Sequence, residues 1–150
     1  MANLISNELR EAYLRTIYCV FASAGELEII VNTASSALDE LLAEHTVASA
    51  AFITASNPSS RRLDAAANAM RNEALCVDVQ AAGFSYLRGE GRDPAGEWQS
   101  EQSLLVLGIA MADATRLARR YGQNAYVFLP LHSPAMLIEV DQSPGPDPHL

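Results

Sequence analysis

Four short stretches of this chain carry the polar side chains that could do chemistry. They are residues 54–60, 88–94, 101–103 and 122–124, and they contain carboxylate, hydroxyl, amide and guanidinium groups. A carboxylate such as Glu101 could act as a general base, and the guanidinium of Arg71 could pair with an anionic group of a ligand. Amide side chains supply hydrogen-bond donors and acceptors. The chemistry that is possible depends on the elements that position these stretches.

Apolar patterning predicts the order β-α-β-β-α-β in the central part of the chain. Residues 49–55, 84–87, 104–109 and 124–129 are short apolar stretches typical of strands. The glycines and Pro94 predict a loop over residues 88–100. The first connecting helix begins at an N-cap Ser60 and ends at Gly83, with an inward face of Leu63, Ala67, Met70, Ala74, Val77 and Ala81. The second covers residues 110–121, with an inward face of Ala114, Leu117, Ala118 and Tyr121.

This order of elements predicts an α+β domain with a ferredoxin-like core, the split β-α-β-β-α-β arrangement, over residues 48–129. Right-handed crossovers would place its four strands in the order 4-1-3-2, with all neighbours antiparallel. The two most apolar strands, the first and the third, would then be central. The agreement between apolar pattern and strand order is the main reason for this prediction.

The remaining residues predict an N-terminal helix and strand extension and a C-terminal hairpin strand. A first helix that reaches residue 20 follows from the helical spacing of Ile5, Leu9, Ala12, Tyr13, Ile17 and Val20. Residues 27–31 predict a strand, Ser36 a helix start, and residues 136–140 the last strand. We predict a single domain over residues 1–142 and a flexible tail over residues 143–150, which contain three prolines.

In the predicted sheet, all four polar stretches lie at one end. The first strand ends there, the third and fourth strands begin there, and the first turns of the first connecting helix follow. We therefore predict that Glu101 is a candidate general base and that the loop over residues 88–100 is a lid containing Arg92, Asp93 and Trp98. The predicted ligand-binding residues are Thr54, Asn57, Asn68, Arg71, Glu101, Ser103, Gln123 and Asn124.

Structural explanations exist for several of these residues. Asn68 could lie on a solvated helix face, and Trp98 could fold back over apolar surface instead of stacking on a ligand. Glu101 and Ser103 could form strand-end hydrogen bonds to Gln123 or Asn124 instead of orienting a substrate.

Composition excludes some classes of function. The chain has 150 residues, of which 49% are apolar and 19% charged, as in soluble globular proteins. A formal charge of −8 argues against general nucleic-acid binding and against anionic membranes. No apolar run approaches the roughly 20 residues of a membrane span, and charged residues interrupt any N-terminal secretion signal. We expect a cytoplasmic protein that is free to form a homo-oligomer, with Cys19 and Cys76 as buried, reduced thiols.

We predict neither a metal nor a cofactor. His45, His132 and His149 share no metal-ligand spacing, and the acidic residues between Glu90 and Glu101 lack the regular spacing of a calcium loop. Gly89-Glu90-Gly91 lacks the rest of a dinucleotide fingerprint.

Several motifs, taken together, resemble a family of small bacterial proteins classed only as a domain of unknown function. Here the aromatic residue before Gly122 is Tyr121 where the family usually has Phe, and Gln102 stands where Pro is expected. The resemblance implies no activity, but it suggests that the predicted ligand-binding residues belong together. The motifs are Ala51-Phe52-Ile53-Thr54-Ala55-x-Asn57-Pro58, Asn68-x-x-Arg71, Gly89-x-Gly91-x-Asp93-Pro94-x-Gly96-x-Trp98, Glu101-x-Ser103-Leu104-Leu105-Val106-Leu107-Gly108 and Gly122-Gln123-Asn124-Ala125.

Three hypotheses about function follow. The first is a small-molecule or nucleotide-binding module, with Arg71 pairing with an anionic group and the amides supplying hydrogen bonds. The alternative is a protein–protein interaction module in which the polar cluster is purely structural, dry and without a cavity above it. The second alternative is a hydrolase or transferase with Glu101 as general base.

Overall fold

The computed structural model describes residues 5–142 and is an α+β structure; the tail predicted over residues 143–150 lies outside them. A curled antiparallel sheet of seven strands is combined with four helices in this part of the chain. No helix within it is long and apolar enough to cross a membrane. The elements are α1 (Asn7–Arg15), β1 (Ile17–Ala22), β2 (Gly25–Ile29), α2 (Ser36–Glu44), β3 (Ser49–Ile53), a 3-10 turn (Pro58–Ser60), α3 (Ala65–Ala81), β4 (Ser85–Arg92), β5 (Glu101–Leu107), α4 (Met111–Arg120), β6 (Ala125–Pro130) and β7 (Met136–Glu139).

The strands follow the order β2-β1-β4-β5-β3-β6-β7. Every neighbouring pair is antiparallel. The four strands of the predicted core therefore stand in the order β4-β5-β3-β6, the strand order expected from right-handed crossovers. β3 and β5 are central and nearly all buried, as their continuous apolar sequences predicted.

Helices cover both faces of the sheet and create two apolar cores. On one face, α3 and α4 pack against β3, β5 and β6 through side chains such as Leu75, Ala118 and Val106. On the other face, α2 contributes Leu38, Leu41 and Leu42 to a core with Phe52 and Leu105, and Leu14 of α1 packs against the same core. The two free thiols, Cys19 and Cys76, are buried as expected.

The first helix is shorter than predicted. α1 ends at Arg15, and the apolar residues Ile17 and Val20 belong to β1. The β-branched and aromatic residues after Thr16 favour a strand, and β1 lies between β2 and β4, where both of its edges are paired. Pairing on two sides outweighs the helical spacing that the sequence also contains.

The predicted inward face of α3 is wrong. Met70 and Val77 are 75% and 63% exposed, and the buried residues of the helix are Asn72, Leu75, Cys76 and Val79. These four positions follow the helical spacing of a buried face. Because one of them is the polar Asn72, the apolar pattern of the sequence does not identify this face. The N-cap also differs: it is Asp64, whose side chain accepts a hydrogen bond from Ala67 N, rather than Ser60.

β4 extends into the stretch predicted to be a loop. Residues 89–92 are paired with β1 on one side, and Gly89 and Gly91 also lie opposite β5 on the other. The glycine at position 89 allows this close approach, because a Cβ there would lie 2.2 Å from the carbonyl oxygen of Cys19. The loop that could act as a lid is therefore limited to residues 93–100.

Candidate functional site

A cavity of about 470 Å³ lies at the end of the sheet where β3 and β4 end and β5 and β6 begin. Small-molecule sites typically enclose about 300–1,000 Å³, so the volume is suitable for one. Leu9, Ala12 and Tyr13 of α1 form part of its wall. Seven of the eight predicted ligand-binding residues line it, namely Thr54, Asn57, Asn68, Glu101, Ser103, Gln123 and Asn124.

Asn57 organises the turn between β3 and α3. Its backbone is left-handed, with φ of 48° and ψ of 62°, a conformation that Asn tolerates better than most residues. Its N–H donates to Asn68 Oδ1 and Asn68 Nδ2 donates back to Asn57 Oδ1, both at 2.9 Å. Leu63 N also donates to Asn57 Oδ1, at 2.9 Å. Asn68 therefore faces the turn and holds it closed, and it does not lie on a solvated face.

Asn72 is a site residue that the sequence interpretation missed. It is 3% exposed, lines the cavity and lies one helical turn after Asn68. Its Oδ1 accepts from Ala55 N at 2.9 Å, and its Nδ2 donates to Ser56 Oγ at 2.9 Å and to Asn68 O at 3.0 Å. The i, i+4 spacing of the two asparagines was the available signal, since such residues share one helix face.

Arg71 is the predicted ligand-binding residue that the structure does not bring to the cavity wall. Its Nε donates to Ala55 O and its Nη2 to Tyr121 O, both at 2.6 Å. The guanidinium also lies 5.8 Å from the centre of the Tyr121 ring. Arg71 therefore ties α3 to the end of β3 and to the end of α4. The cationic side chain among the described lining residues is instead Arg62, which is exposed.

Glu101 combines burial with one free oxygen. Its Oε2 accepts from Asn57 Nδ2 at 2.7 Å, and within residues 5–142 its Oε1 has no hydrogen-bond partner. Burial raises the pKa of the Glu101 carboxyl above its ordinary value, and the hydrogen bond from Asn57 offsets part of the rise. Such a carboxyl can accept a hydrogen bond or a proton from a bound molecule.

Tyr13 faces the same space from α1. Burial raises the pKa of its phenol, and the negative charge of Glu101 raises it further. Its hydroxyl has no hydrogen-bond partner in the described part of the chain. The N-terminal extension thus adds a phenol to the site, which the sequence did not indicate because more than eighty residues separate it from Glu101.

The other polar residues of the wall are mostly engaged with the protein itself. Thr54 Oγ1 donates to Gln102 O at 2.6 Å, and Ser103 Oγ donates to Glu101 O at 3.1 Å. Gln123 Nε2 donates to the carbonyls of Ser56 and Tyr121, at 3.0 and 3.2 Å. No side-chain hydrogen bond joins Glu101 or Ser103 to Gln123 or Asn124 as considered above.

Asn124 binds the other side of the turn. Its Nδ2 donates to Ser60 Oγ at 2.9 Å, so the start of β6 is joined to the 3-10 turn after β3.

One of the three predicted lid residues lines the cavity, and it is Trp98. Arg92 lies in β4 and pairs with Glu90 at 2.6 Å and with Glu26 at 3.2 Å, outside the cavity wall. Asp93 shapes the loop, because its carboxylate accepts from Ala95 N and Glu97 N at 3.0 and 2.9 Å.

Aromatic rings form the apolar part of the wall. Tyr18 and Phe52 line the cavity and pack edge to face, with ring centres 5.3 Å apart. Tyr13, Trp98 and Tyr126 complete the aromatic set. In residues 5–142, no group of three or more His, Cys, Asp or Glu side chains could hold a metal ion. The arrangement is suited to binding an organic molecule that has both polar and apolar parts.

Comparisons with known proteins agree with the resemblance seen in the sequence. No curated protein and no solved structure matches the chain. A family model does match, and it covers residues 53–126, the stretch that supplies Thr54, the turn, α3 and the starts of β5 and β6. This stretch is similar to the family described as "Protein of unknown function (DUF3293)".

Proposed function

We propose that this protein is a small-molecule-binding module whose ligand occupies the cavity beside Glu101. The observation that carries the proposal is the cavity of about 470 Å³ that the predicted polar residues line together with aromatic rings. Binding sites of small molecules combine a mostly apolar wall with a few placed polar groups in this way. Glu101 and Tyr13 supply polar groups that are free to contact a ligand.

The cavity favours binding over a purely structural role for the cluster. Asn57, Asn68 and Asn72 form hydrogen bonds within the turn and to the end of β3, so this part of the cluster is structural. A structural role for the whole cluster requires a dry arrangement with no space above it. The space beside Glu101 is better explained by a ligand.

A second candidate function is catalysis, as a hydrolase or transferase with Glu101 as general base. The raised pKa of Glu101 and its free oxygen support this role, because perturbed carboxyls in cavities are frequent in active sites. Full turnover of a substrate by Glu101→Gln would eliminate it.

The test of binding is a thermal-shift screen with a cavity-filling variant. The panel contains nucleotides, sugar phosphates, amino acids, amines and neutral aromatic compounds. A ligand at 100 times its Kd adds about 2.7 kcal/mol to the stability of the folded state, or roughly 5–10 °C for a chain of this size. Ala12→Phe places a ring in the cavity and should abolish the shift, whereas Ala112→Phe on the exposed side of α4 should preserve it.

Two results would refute the proposal. One is a panel in which no compound stabilises the wild-type protein. The other is a shift of equal size in Ala12→Phe and Ala112→Phe, which would place the ligand elsewhere.

The finer structural and cellular assignments belong to the same proposal. We assign the core over residues 48–129 to the ferredoxin-like class, supported by the strand order β4-β5-β3-β6 and by the packing of α3 and α4 on one face. We also assign the protein to the bacterial cytoplasm, on the resemblance and on the sequence composition.

A further inference from the structure

Glu101 is a half-buried carboxylate at the cavity wall that lacks a positive partner. No Lys, Arg or His of the described residues forms an ion pair with it: Arg62 is exposed, and Arg71 is engaged with two carbonyls. Charged groups removed from water are normally paired or bound to a metal. An uncompensated carboxylate at the wall of a cavity therefore indicates that the bound ligand supplies the charge.

The hydrogen-bonding groups of the wall lead to the same conclusion. The amide nitrogens of Asn57, Asn68 and Gln123 already donate to protein acceptors. Two acceptors, Glu101 Oε1 and Gln123 Oε1, have no hydrogen-bond donor among residues 5–142. The orientation of the Gln123 amide is set by two carbonyls that only its nitrogen can bind. These amide donors are occupied whereas two acceptors are vacant, so the acceptors select a ligand that donates, and the free hydroxyl of Tyr13 can donate or accept.

The aromatic residues of the wall also favour a positively charged ligand. Tyr13, Tyr18, Phe52 and Trp98 line the cavity, and the faces of aromatic rings attract ammonium groups. The net charge of −8 attracts cations over longer distances. Phosphate and carboxylate ligands, in contrast, would meet the charge of Glu101 without a buried cation to offset it.

We propose that the ligand is an organic cation, a protonated amine attached to an apolar or aromatic group, whose ammonium donates to Glu101 Oε1. This inference rests on the proposed binding function and specifies its ligand class. It replaces the expectation of an anionic ligand bound by Arg71, because Arg71 is engaged with two carbonyls away from the cavity wall, whereas Glu101 lies at the wall with one oxygen free.

Three probes of similar shape and different charge test the inference: 2-phenylethylamine, 2-phenylethanol and 3-phenylpropionate. Their affinities are measured by calorimetry at pH 8 with the wild-type chain, Glu101→Gln and Glu40→Gln. Glu40 is exposed on α2, so its variant makes the same change in net charge away from the cavity. We expect the amine to bind wild type at least tenfold more tightly than either other probe. Glu101→Gln should weaken amine binding at least tenfold, and Glu40→Gln should not change it.

Measuring amine affinity for the wild-type protein over a series of pH values tests the same inference without a variant. Amine affinity should fall as the pH drops through the pKa of Glu101, by about tenfold one pH unit below it, because the protonated carboxyl no longer attracts the ammonium. Tyr13 on α1 and Tyr18 on β1 stay neutral in this range since burial raises their pKa values. Arg62, at the turn before α3, is the other charged side chain among the described residues of the wall.

The outcomes separate the ligand class from the binding function. If the amine binds no more tightly than the alcohol, or equally well to Glu101→Gln, the cation inference is wrong. Binding of the alcohol or the carboxylate that Ala12→Phe abolishes would overturn the ligand class and leave the binding function standing. If none of the three probes binds wild type, the inference also fails, and the wider panel then decides whether the cavity binds anything.

Discussion

Replacing Asn72 by alanine tests the structural role of the polar cluster. The substitution removes an acceptor from Ala55 N, whose residue is completely buried, and it removes the donor that joins Ser56 Oγ and Asn68 O. A buried donor left without a partner costs about 1–3 kcal/mol. Loss of the two hydrogen bonds that Asn72 Nδ2 donates adds to this cost. The better helix propensity of alanine recovers about 0.5 kcal/mol. We expect the free energy of unfolding to fall by about 2–3 kcal/mol.

Urea denaturation followed by circular dichroism measures this change. The matched control is Gln80→Ala, on the exposed side of the same helix, which should change the stability by less than about 0.5 kcal/mol. The corresponding decrease in Tm for Asn72→Ala is roughly 5–10 °C. If Asn72→Ala and Gln80→Ala are equally stable, the hydrogen bonds of Asn72 do not hold the end of β3 in place and the structural assignment is refuted.

Two further predictions concern stability. Burial raises the pKa of Glu101 in the folded state, so the native protein retains a proton that the unfolded chain has lost, and stability falls as the pH rises through the folded pKa. Glu101→Gln should therefore be more stable than wild type at pH 8 and lose this advantage below about pH 4; urea titrations that show it less stable at pH 8 would contradict this. Gly89→Ala should cost about 3 kcal/mol, because its Cβ would meet Cys19 O at 2.2 Å and Phe52 Cε2 at 2.9 Å. The matched control is Gly91→Ala, whose Cβ would have its nearest neighbour at 3.6 Å and which should lower the free energy of unfolding by less than about 1 kcal/mol. Thermal melting of both variants measures the difference.

The sequence predicted the centre of the sheet and the convergence of polar residues at one of its ends, because both follow from the order of the elements along the chain. The apolar strands β3 and β5 and the two crossover helices determine the strand order through short connections. Once the order is known, the ends of the strands meet at one edge. Thr54, Glu101 and Gln123 could therefore be placed together before any coordinates were known.

Other features depended on tertiary contacts that local patterns do not contain. The buried face of α3 includes Asn72, whose burial is compensated by Ala55 N and Ser56 Oγ, so a search for apolar residues selects the wrong face. β4 passes through Gly89 because it lies between two strands, whereas glycines alone predict a loop. The direction of the Arg71 side chain depends on the carbonyls of Ala55 and Tyr121, which come from different elements.

One part of the cavity wall comes from the N-terminal helix α1, whereas most of the wall comes from later parts of the chain. Leu9, Ala12 and Tyr13 belong to α1, which precedes the stretch matched by the family and contains no fully buried residue. Arg10 joins this helix to Glu139 of β7 through hydrogen bonds of 2.8 and 3.0 Å. Substitutions of Leu9, Ala12 or Tyr13 can therefore reshape the cavity while both apolar cores stay intact. Under the proposed binding function, sequence changes in this helix would alter the ligand preference and preserve the scaffold beneath it.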